Sequence, residues 1–254
     1  MSRKKRRLAN LQNAESQTYT GTQELIDSEE GLIGYSTEIV RKFFSKMDLE
    51  NRIVSNGRTL LEFGAGTGFL ADIFRSTFQI KPDCVELDLD LVAHVKGRGF
   101  NCFQFLNETS QNYAAIYSSN VLEHIEDDSA ILLELFKSLT PGGIIGIYVP
   151  AHPFLYSSMD AEIGHVRRYK RSELRDKVLA AGFEIQSLTY DESVGFLASA
   201  LVKIVGYKNQ ANLGSKNSLV FYDNYIYPIS RVLDRLGFRY IVGKNLILVG
   251  LKRS

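Results

Sequence analysis

Apolar positions along this chain change their period several times. Short β-favouring runs at Thr59 to Phe63, Asp83 to Asp88, Ala114 to Ser118 and Ile144 to Val149 alternate with stretches in which apolar residues recur every three or four positions. Ile39, Val40, Phe43, Phe44 and Met47 form one such stripe and predict a helix capped by Ser36 or Thr37. Further helices are predicted over Phe69 to Phe78, over Leu89 to Lys96 with Asp88 and Asp90 as caps, and through Ile131, Leu132, Leu135, Phe136 and Leu139. Thr140, Pro141, Gly142 and Gly143 read as breakers that stop this last helix before the next strand. Ser172 to Ala181 is another helix with Gly182 as its stop, followed by a strand from Phe183 to Tyr190 and a closing strand from Asn245 to Leu251. Alternation of this kind predicts a parallel sheet with helices on both faces.

More than fifty residues separate the last two strands, too many for a simple connection in a compact sheet. Val194 to Val205 is apolar apart from Lys203, and Tyr222, Tyr225 and Tyr227 precede Pro228. Residues 191–244 are therefore read as a helical insertion, a lid or partner surface. A core helix with its packing partner is the default; a groove for a lipid-like acceptor or an in-plane membrane contact is the sharper alternative. The apolar stretch is too short to span a bilayer, which takes ~20 residues.

The most informative local feature is TLLEFGAGTGF, from Thr59 to Phe69: a buried strand, then glycines at alternate positions, then a helix whose N-terminal amides would face a ligand. A dinucleotide fingerprint would place its third glycine at the position of Phe69, one residue later than Gly68, which argues against NAD. Taken alone, such a loop is also compatible with an ordinary tight strand-to-helix turn. Glu86 lies 22 residues after Gly64 at the end of a second short strand, where a carboxylate can accept hydrogen bonds from both hydroxyls of a ribose.

The segment Glu62 to Gly68 resembles motif I of the class I S-adenosylmethionine (SAM) methyltransferases. NVLEHI from Asn120 and LTPGGIIGIYVP from Leu139 resemble the post-motif segments of the same enzymes. PAHPFLYSSMD from Pro150 to Asp160, GHVRRYKRSEL from Gly164 to Leu174 and the AGFEI that follows are similar to a bacterial subgroup often associated with sugar or lipid-linked glycan chemistry. The resemblance covers roughly Leu60 to Ile185 and, weakly, the last strand. It implies an α/β, Rossmann-like class I fold: a seven-stranded, mostly parallel sheet with an antiparallel last strand. A basic tail over residues 1–30 would precede a single domain over residues 31–254. It also implies SAM as cofactor, with Glu62, Gly64, Ala65, Gly66 and Gly68 around its amino-acid part, Glu86 and Leu87 at the nucleoside, and Asn120 touching it by backbone or amide. One departure stands out: Tyr113, Ala114 and Ala115 occupy the place where many relatives carry an aspartate. Adenine contacts are then expected near Leu106 to Glu108, where Asn107 or Glu108 could accept from the exocyclic amine.

A sulfonium methyl is already activated, so the chain must chiefly align an acceptor and, for a hydroxyl, accept its proton. His124, His152 and His165 all follow the fourth or fifth strand, on the ligand edge, whereas His94 belongs to a helix. His165 ranks first as base and His152 second, with Asp160 orienting either imidazole. Arg167 and Arg168 are candidates to hold a phosphate or carboxylate of the acceptor, with Tyr169 beside them. His124 is expected beside the methionine end of the cofactor, facing the acceptor. Each histidine has an alternative as a loop residue held by backbone hydrogen bonds. Glu123 and His124 also resemble a magnesium-binding segment of some methyltransferases, but the place three residues before the pair holds Asn120, so no metal is expected.

Composition narrows the partners. At 254 residues and 44% hydrophobic content the chain can bury one substantial core. Net charge is +1, of which Arg3, Lys4, Lys5, Arg6 and Arg7 supply +5, so the remainder carries −4 and does not present a nucleic-acid-binding surface by charge. No apolar signal core follows the basic start, which places the chain in the cytoplasm, with a peripheral membrane contact open. Cys84 and Cys102 lack ligand spacing and read as reduced core thiols. The function expected is methyl transfer from SAM to a hydroxyl or carboxyl of a small-molecule, glycan or lipid-linked acceptor. A catalytically inactive scaffold and a nucleic-acid methyltransferase are the rival readings.

Overall fold

A computed structural model describes residues 29, 31–109, 112–205 and 216–253; the basic N-terminal stretch and residues 206–215 of the insertion lie outside them. Seven strands form one sheet: β1 (Leu60–Phe63), β2 (Asp83–Val85), β3 (Cys102–Phe103), β4 (Tyr113–Ser119), β5 (Leu139–Pro150), β6 (Glu184–Asp191) and β7 (Asn245–Leu251). Their order across the sheet is β3-β2-β1-β4-β5-β7-β6, with β7 antiparallel to both neighbours and the other pairings parallel. Among the described residues the main helices are α1 (Ile33–Lys46), α2 (Phe69–Phe78), α3 (Leu89–Gly97), α4 (Asp128–Ser138), α5 (Ser158–Glu162), α6 (Arg171–Ala180), α7 (Ser193–Val205), α8 (Lys216–Phe221) and α9 (Tyr227–Arg235). Between β6 and β7 the described residues form α7, α8 and α9.

Strand alternation divides the core into two layers. Leu61, Ile116, Ile145 and Ile147 face the side covered by Leu132 and Leu135 of α4 and by Leu174 and Val178 of α6. Leu60, Tyr117, Ile144 and Tyr148 face the opposite side, where Ile39, Val40 and Phe43 of α1, Met47 at its end and Phe74 of α2 cover them. The apolar stripe of the first predicted helix is therefore the face that packs on the sheet. Gly146 of β5 lies directly beneath α1: a Cβ there would come within 2.5 Å of Met47 Sδ and 2.7 Å of Phe43 Cδ1. That absence of a side chain lets α1 approach the sheet.

Three local expectations change. Helix α1 begins at Ile33, not at Ser36 or Thr37, and has no side-chain cap of its own. Its free N-terminal amides are met from the insertion instead: Gly34 N and Tyr35 N each donate to the Asp223 carboxylate at 2.7 Å. Thr140 to Gly143 belong to β5 rather than to a breaking loop, because Lys252 after β7 holds them extended through Gly142 N to Lys252 O (2.9 Å) and Lys252 N to Gly143 O (2.8 Å). Asp88 alone caps α3, its Oδ1 accepting from Asp90 N and Leu91 N. Cys84 and Cys102 are buried free thiols on neighbouring strands.

Asp128 at the start of α4 ties three elements together. Its carboxylate accepts from Lys177 Nζ of α6 at 2.6 and 2.7 Å, from Tyr169 Oη at 2.7 Å and from Arg167 Nη1 at 3.3 Å. Burial alone would raise its pKa, but the bonds from Lys177 and Tyr169 outweigh it and hold the carboxyl below its ordinary value. A carboxyl depressed in the folded state stabilises the fold above its unfolded pKa of about 3.9, and that contribution fades as pH falls through the folded value. Wild-type stability should therefore decline below about pH 4, whereas Asp128→Asn should be less stable at neutral pH and show a flatter acid limb; urea unfolding across pH 2.5–7 measures both. Gly146→Ala should cost about 1–3 kcal/mol of stability in the same assay, because Phe43 and Met47 must give way to a methyl group.

Candidate active site

Strand order reverses between β1 and β4, and in open α/β sheets a crevice at the carboxyl ends of such neighbours receives the ligand. The glycine loop leaves β1 at this point. Gly64 N and Ala65 N both donate to Val85 O of β2, at 2.9 and 3.0 Å, and Gly68 N closes the turn onto Ala65 O at 2.8 Å. Gly64 (φ 78°) and Gly68 (φ 80°) occupy the left-handed region. A Cβ on Gly64 would lie 2.3 Å from Val121 Cγ2, so the loop is seated against the turn that follows β4. Helix α2 then starts at Phe69, as the sequence indicates.

Two carboxylates flank this loop. Glu86 Oε2 accepts from Gly66 N at 2.7 Å and its Oε1 from Asp88 N at 3.0 Å, which fixes the carboxylate at the end of β2. Burial raises its pKa against the effect of those amides. Glu62 is 2% exposed, its Oε2 has no hydrogen-bond partner, and burial with the nearby Glu86 charge pushes its carboxyl up to about 8. An orphaned acceptor, a loop with no room for side chains and a carboxylate held at a strand end suit a ligand carrying an amino group and a ribose. Leu87 is 54% exposed beside Glu86. Asn120 (φ 54°) donates its amide to Tyr148 O at 2.8 Å and exposes its side chain at the end of β4. Asn107 is exposed in the turn Leu106–Glu108, but Glu108 is engaged there, its Oε2 accepting from Gln104 N and Phe105 N, so of the two adenine candidates it is the committed one.

The turn after Val121 carries the second half of the site. Glu123 is 0% exposed and neither carboxylate oxygen has a hydrogen-bond partner; burial pushes its carboxyl up to about 8. His124 and His165 meet edge to face with ring centroids 4.7 Å apart. His165 Nδ1 lies 2.9 Å from Asp160 Oδ1, and its Nε2 faces Glu123 Oε1 at 3.8 Å. Burial, reinforced by His165, lowers the His124 pKa to about 4, so that imidazole is neutral at physiological pH. Burial opposes ionisation of Asp160, yet His165 and Arg168 hold its carboxyl far below the ordinary range.

The structure thus gathers His165, Asp160 and His124 around Glu123, and places His152 elsewhere. His152 stacks on Tyr190 (4.9 Å, 10°) with Phe154 and Phe196 each 5.2 Å away, and Asp160 is not its orienting partner. Of the acceptor-binding candidates, Arg167, Arg168 and Tyr169 turn inward. Arg168 donates from Nε to Asp160 at 2.7 Å, and Arg167 is spent on Asp128 and on Glu126 O. Tyr169 is 1% exposed with its hydroxyl on Asp128. These side chains position the His165 loop, while Arg168 Nη1 and Arg167 Nε have no hydrogen-bond partner.

Two features lie beyond the candidates read from sequence. Glu123 is one: in the sequence it stands beside a metal-like motif, and its position two residues past Val121 on the ligand edge is the signal for it. At the end of β6, Asp191 and Glu192 are buried in a polar cluster under the insertion: Tyr148 Oη donates to Asp191 Oδ2 at 2.9 Å, Lys42 Nζ to Asp191 Oδ1 at 2.5 Å, and Asn245 Nδ2 to Glu192 Oε2 at 2.7 Å. Two adjacent acids at a strand's carboxyl end were its only trace in the sequence.

Comparison with known proteins accords with this geometry. The family model of a methyltransferase domain matches residues 36–188. A probable S-adenosylmethionine-dependent methyltransferase of Mycolicibacterium smegmatis is 27% identical over 140 residues, covering 51% of this chain and 53% of that protein. Phosphoethanolamine N-methyltransferase 1 of Triticum aestivum is 28% identical over 116 residues, covering 42% of this chain and 22% of that protein. The chain thus spans about half the length of the first relative and about a fifth of the second. Among solved structures, a protein described as a methyltransferase, in complex with the Haloferax volcanii Trm112 methyltransferase activator, superposes with a TM-score of 0.58 at 14% identity, over 95% of this chain and 100% of the other. Phosphoethanolamine N-methyltransferase 2 of Haemonchus contortus, in complex with SAM, gives 0.50 at 16% identity over 78% and 49%. With the family model spanning more than half of its length, and the glycine loop and Glu86 arranged as described, the chain belongs to the class I SAM-dependent methyltransferases.

Proposed function

We propose that this chain transfers the methyl group of SAM to a hydroxyl or carboxyl oxygen of a small-molecule, glycan or lipid-linked acceptor. The observation that carries the reading is the cluster of Glu123, His124, Asp160 and His165, seated one turn beyond the Val121 contact with Gly64. Bound SAM supplies a sulfonium-activated methyl group; the protein supplies alignment and a place for the acceptor's proton. The loop from Gly64 to Gly68, with Glu62 and Glu86, holds the cofactor, and Asn120 borders it. Removal of the acceptor's proton depends on His165, whose Nδ1 hydrogen is fixed on Asp160 so that Nε2 keeps its lone pair.

Two features support a lipid-linked acceptor and a peripheral membrane contact. Ile229 and Val232 of α9, with Leu236, Tyr240 and Ile241 after it, are each more than half exposed. A cavity of about 410 Å³ beside them is lined by Lys42, Lys46, Arg231, Arg235 and Arg239 together with Glu38, Asp191 and Asp234; Arg231 and Lys42 are paired with Glu38 and Asp191, so Lys46, Arg235 and Arg239 are cations that a headgroup would meet. Apolar side chains next to guanidinium groups suit an anionic lipid headgroup with its chains. Among the described residues no helix is long and apolar enough to cross a membrane, so such a contact would be in-plane.

Glu86→Ala should weaken SAM binding at least tenfold in calorimetry while leaving thermal unfolding nearly unchanged, because it deletes a carboxylate placed for the ribose. Equal affinity would remove Glu86 from the cofactor site. His165→Ala should lower turnover about a hundredfold or more, followed as S-adenosylhomocysteine release, with SAM affinity intact; full turnover in that variant would dismiss the cluster as the proton-accepting centre.

A further inference from the structure

Glu123, His124 and His165 converge so closely that one ligand atom from each lies within 4.8 Å of the other two. The hydrogen bonds around them determine which atoms carry lone pairs. Gly164 O can only accept, so His124 Nδ1, 3.2 Å away, carries its hydrogen and leaves the lone pair on Nε2. Asp160 Oδ1, which also accepts from Arg168 Nε at 2.7 Å, is the acceptor 2.9 Å from His165 Nδ1, so that nitrogen carries its hydrogen and Nε2 faces Glu123 Oε1 at 3.8 Å. Glu123 itself is fully buried with both oxygens lacking a hydrogen-bond partner. A carboxyl oxygen and an imidazole nitrogen that face one another in a buried site at 3.8 Å, too far apart for a direct hydrogen bond, leave a gap that a cation held by both would fill.

We propose that Glu123, His124 and His165 bind a divalent first-row transition-metal ion, a ligand set of two imidazoles and one carboxylate that favours zinc-like ions over magnesium or calcium. Zn–N and Zn–O bonds of about 2.0–2.1 Å place tetrahedral ligand atoms roughly 3.4 Å apart, so side-chain movements of about 1 Å close the site. The outer layer is already built. Both histidines give their ring N–H, at Nδ1, to an acceptor, Asp160 or Gly164 O, the arrangement that orients metal-ligating imidazoles. Asp160 is fixed in turn by Arg168 Nε at 2.7 Å, Ser157 N at 2.8 Å and Ser157 Oγ at 3.0 Å. Asn120 offers no carboxylate, and the third ligand comes instead from a loop some forty residues downstream, where no local motif announces it. Three protein ligands leave a coordination position open. With the ion bound, His165 Nε2 is engaged as a ligand, and the ion would act in place of proton acceptance by that nitrogen, by holding the acceptor oxygen and lowering its pKa; that role rests on the proposed function, and the binding does not.

The test uses the whole chain, stripped with chelator, desalted, and titrated with Zn²⁺ by calorimetry and with Co²⁺ by visible absorption, with SAM titrated in parallel. One ion per chain is expected, together with a Co²⁺ spectrum of nitrogen and oxygen ligation. Affinity should fall at least a hundredfold in His165→Ala and Glu123→Gln, and about 10–100-fold in Asp160→Asn, which only orients a ligand. SAM affinity in the same samples reports folding, and His124→Ala, at a partly exposed position, supplies the same comparison if Glu123→Gln unfolds. Absence of stoichiometric Zn²⁺ and Co²⁺ binding, or binding that these substitutions leave unchanged, would overturn the site. Metal binding without SAM binding would uphold the site and count against the proposed function alone.

Discussion

Between Gly64 and Val121 there is no room for a single methyl group, and the active site depends on that contact. It presses the loop after β1 against the turn after β4, across the point where the strand order reverses. On one side stand Glu62, Glu86 and the amides of the glycine loop; on the other, within three residues of Val121, stand Glu123 and His124. Any side chain on Gly64 would separate the glycine-loop half of the candidate site from the half that holds the histidines, and a backbone angle of 78° disfavours one in any case. A rigid juxtaposition of this kind suits methyl transfer, in which alignment of two reactants matters more than covalent assistance.

The second half of the site is held from behind by a sequence of buried ion pairs. Asp128 fixes Arg167, Tyr169 and Lys177; Arg168 fixes Asp160; Asp160 fixes His165. Arg167, Arg168 and Tyr169, which look like acceptor ligands in the sequence, are thus bonded to the carboxylates that hold the loop carrying His165. Glu123 is left as a buried carboxylate without a hydrogen bond, at a cost the fold would tolerate for a functional purpose rather than for stability.

Much of the architecture was legible because period and punctuation are local. Alternating strands and helices, the start of α2 after Gly68 and the cap of α3 by Asp88 all depend on neighbours in sequence. The errors are where the deciding partner is remote. Helix α1 takes its cap from Asp223, 188 residues away, so Ser36 and Thr37 had no part in it. Pro141 and Gly142 remain in β5 because Lys252 supplies the bonding partners, against the breaker chemistry of those residues. The same distinction separates the two halves of the site. The glycine loop and Glu86 announce themselves through spacing, whereas the choice of His165 over His152 as partner of Asp160, and the burial of Glu123, arise only from tertiary packing.

The most direct measurement is calorimetric titration of SAM and S-adenosylhomocysteine into the wild-type chain and into Gly64→Ala. The account predicts one site per chain for both compounds in the wild type, and binding at least tenfold weaker when a methyl group is forced between Gly64 and Val121. A wild-type chain that binds neither compound, or a Gly64→Ala chain that binds both equally well, would contradict it.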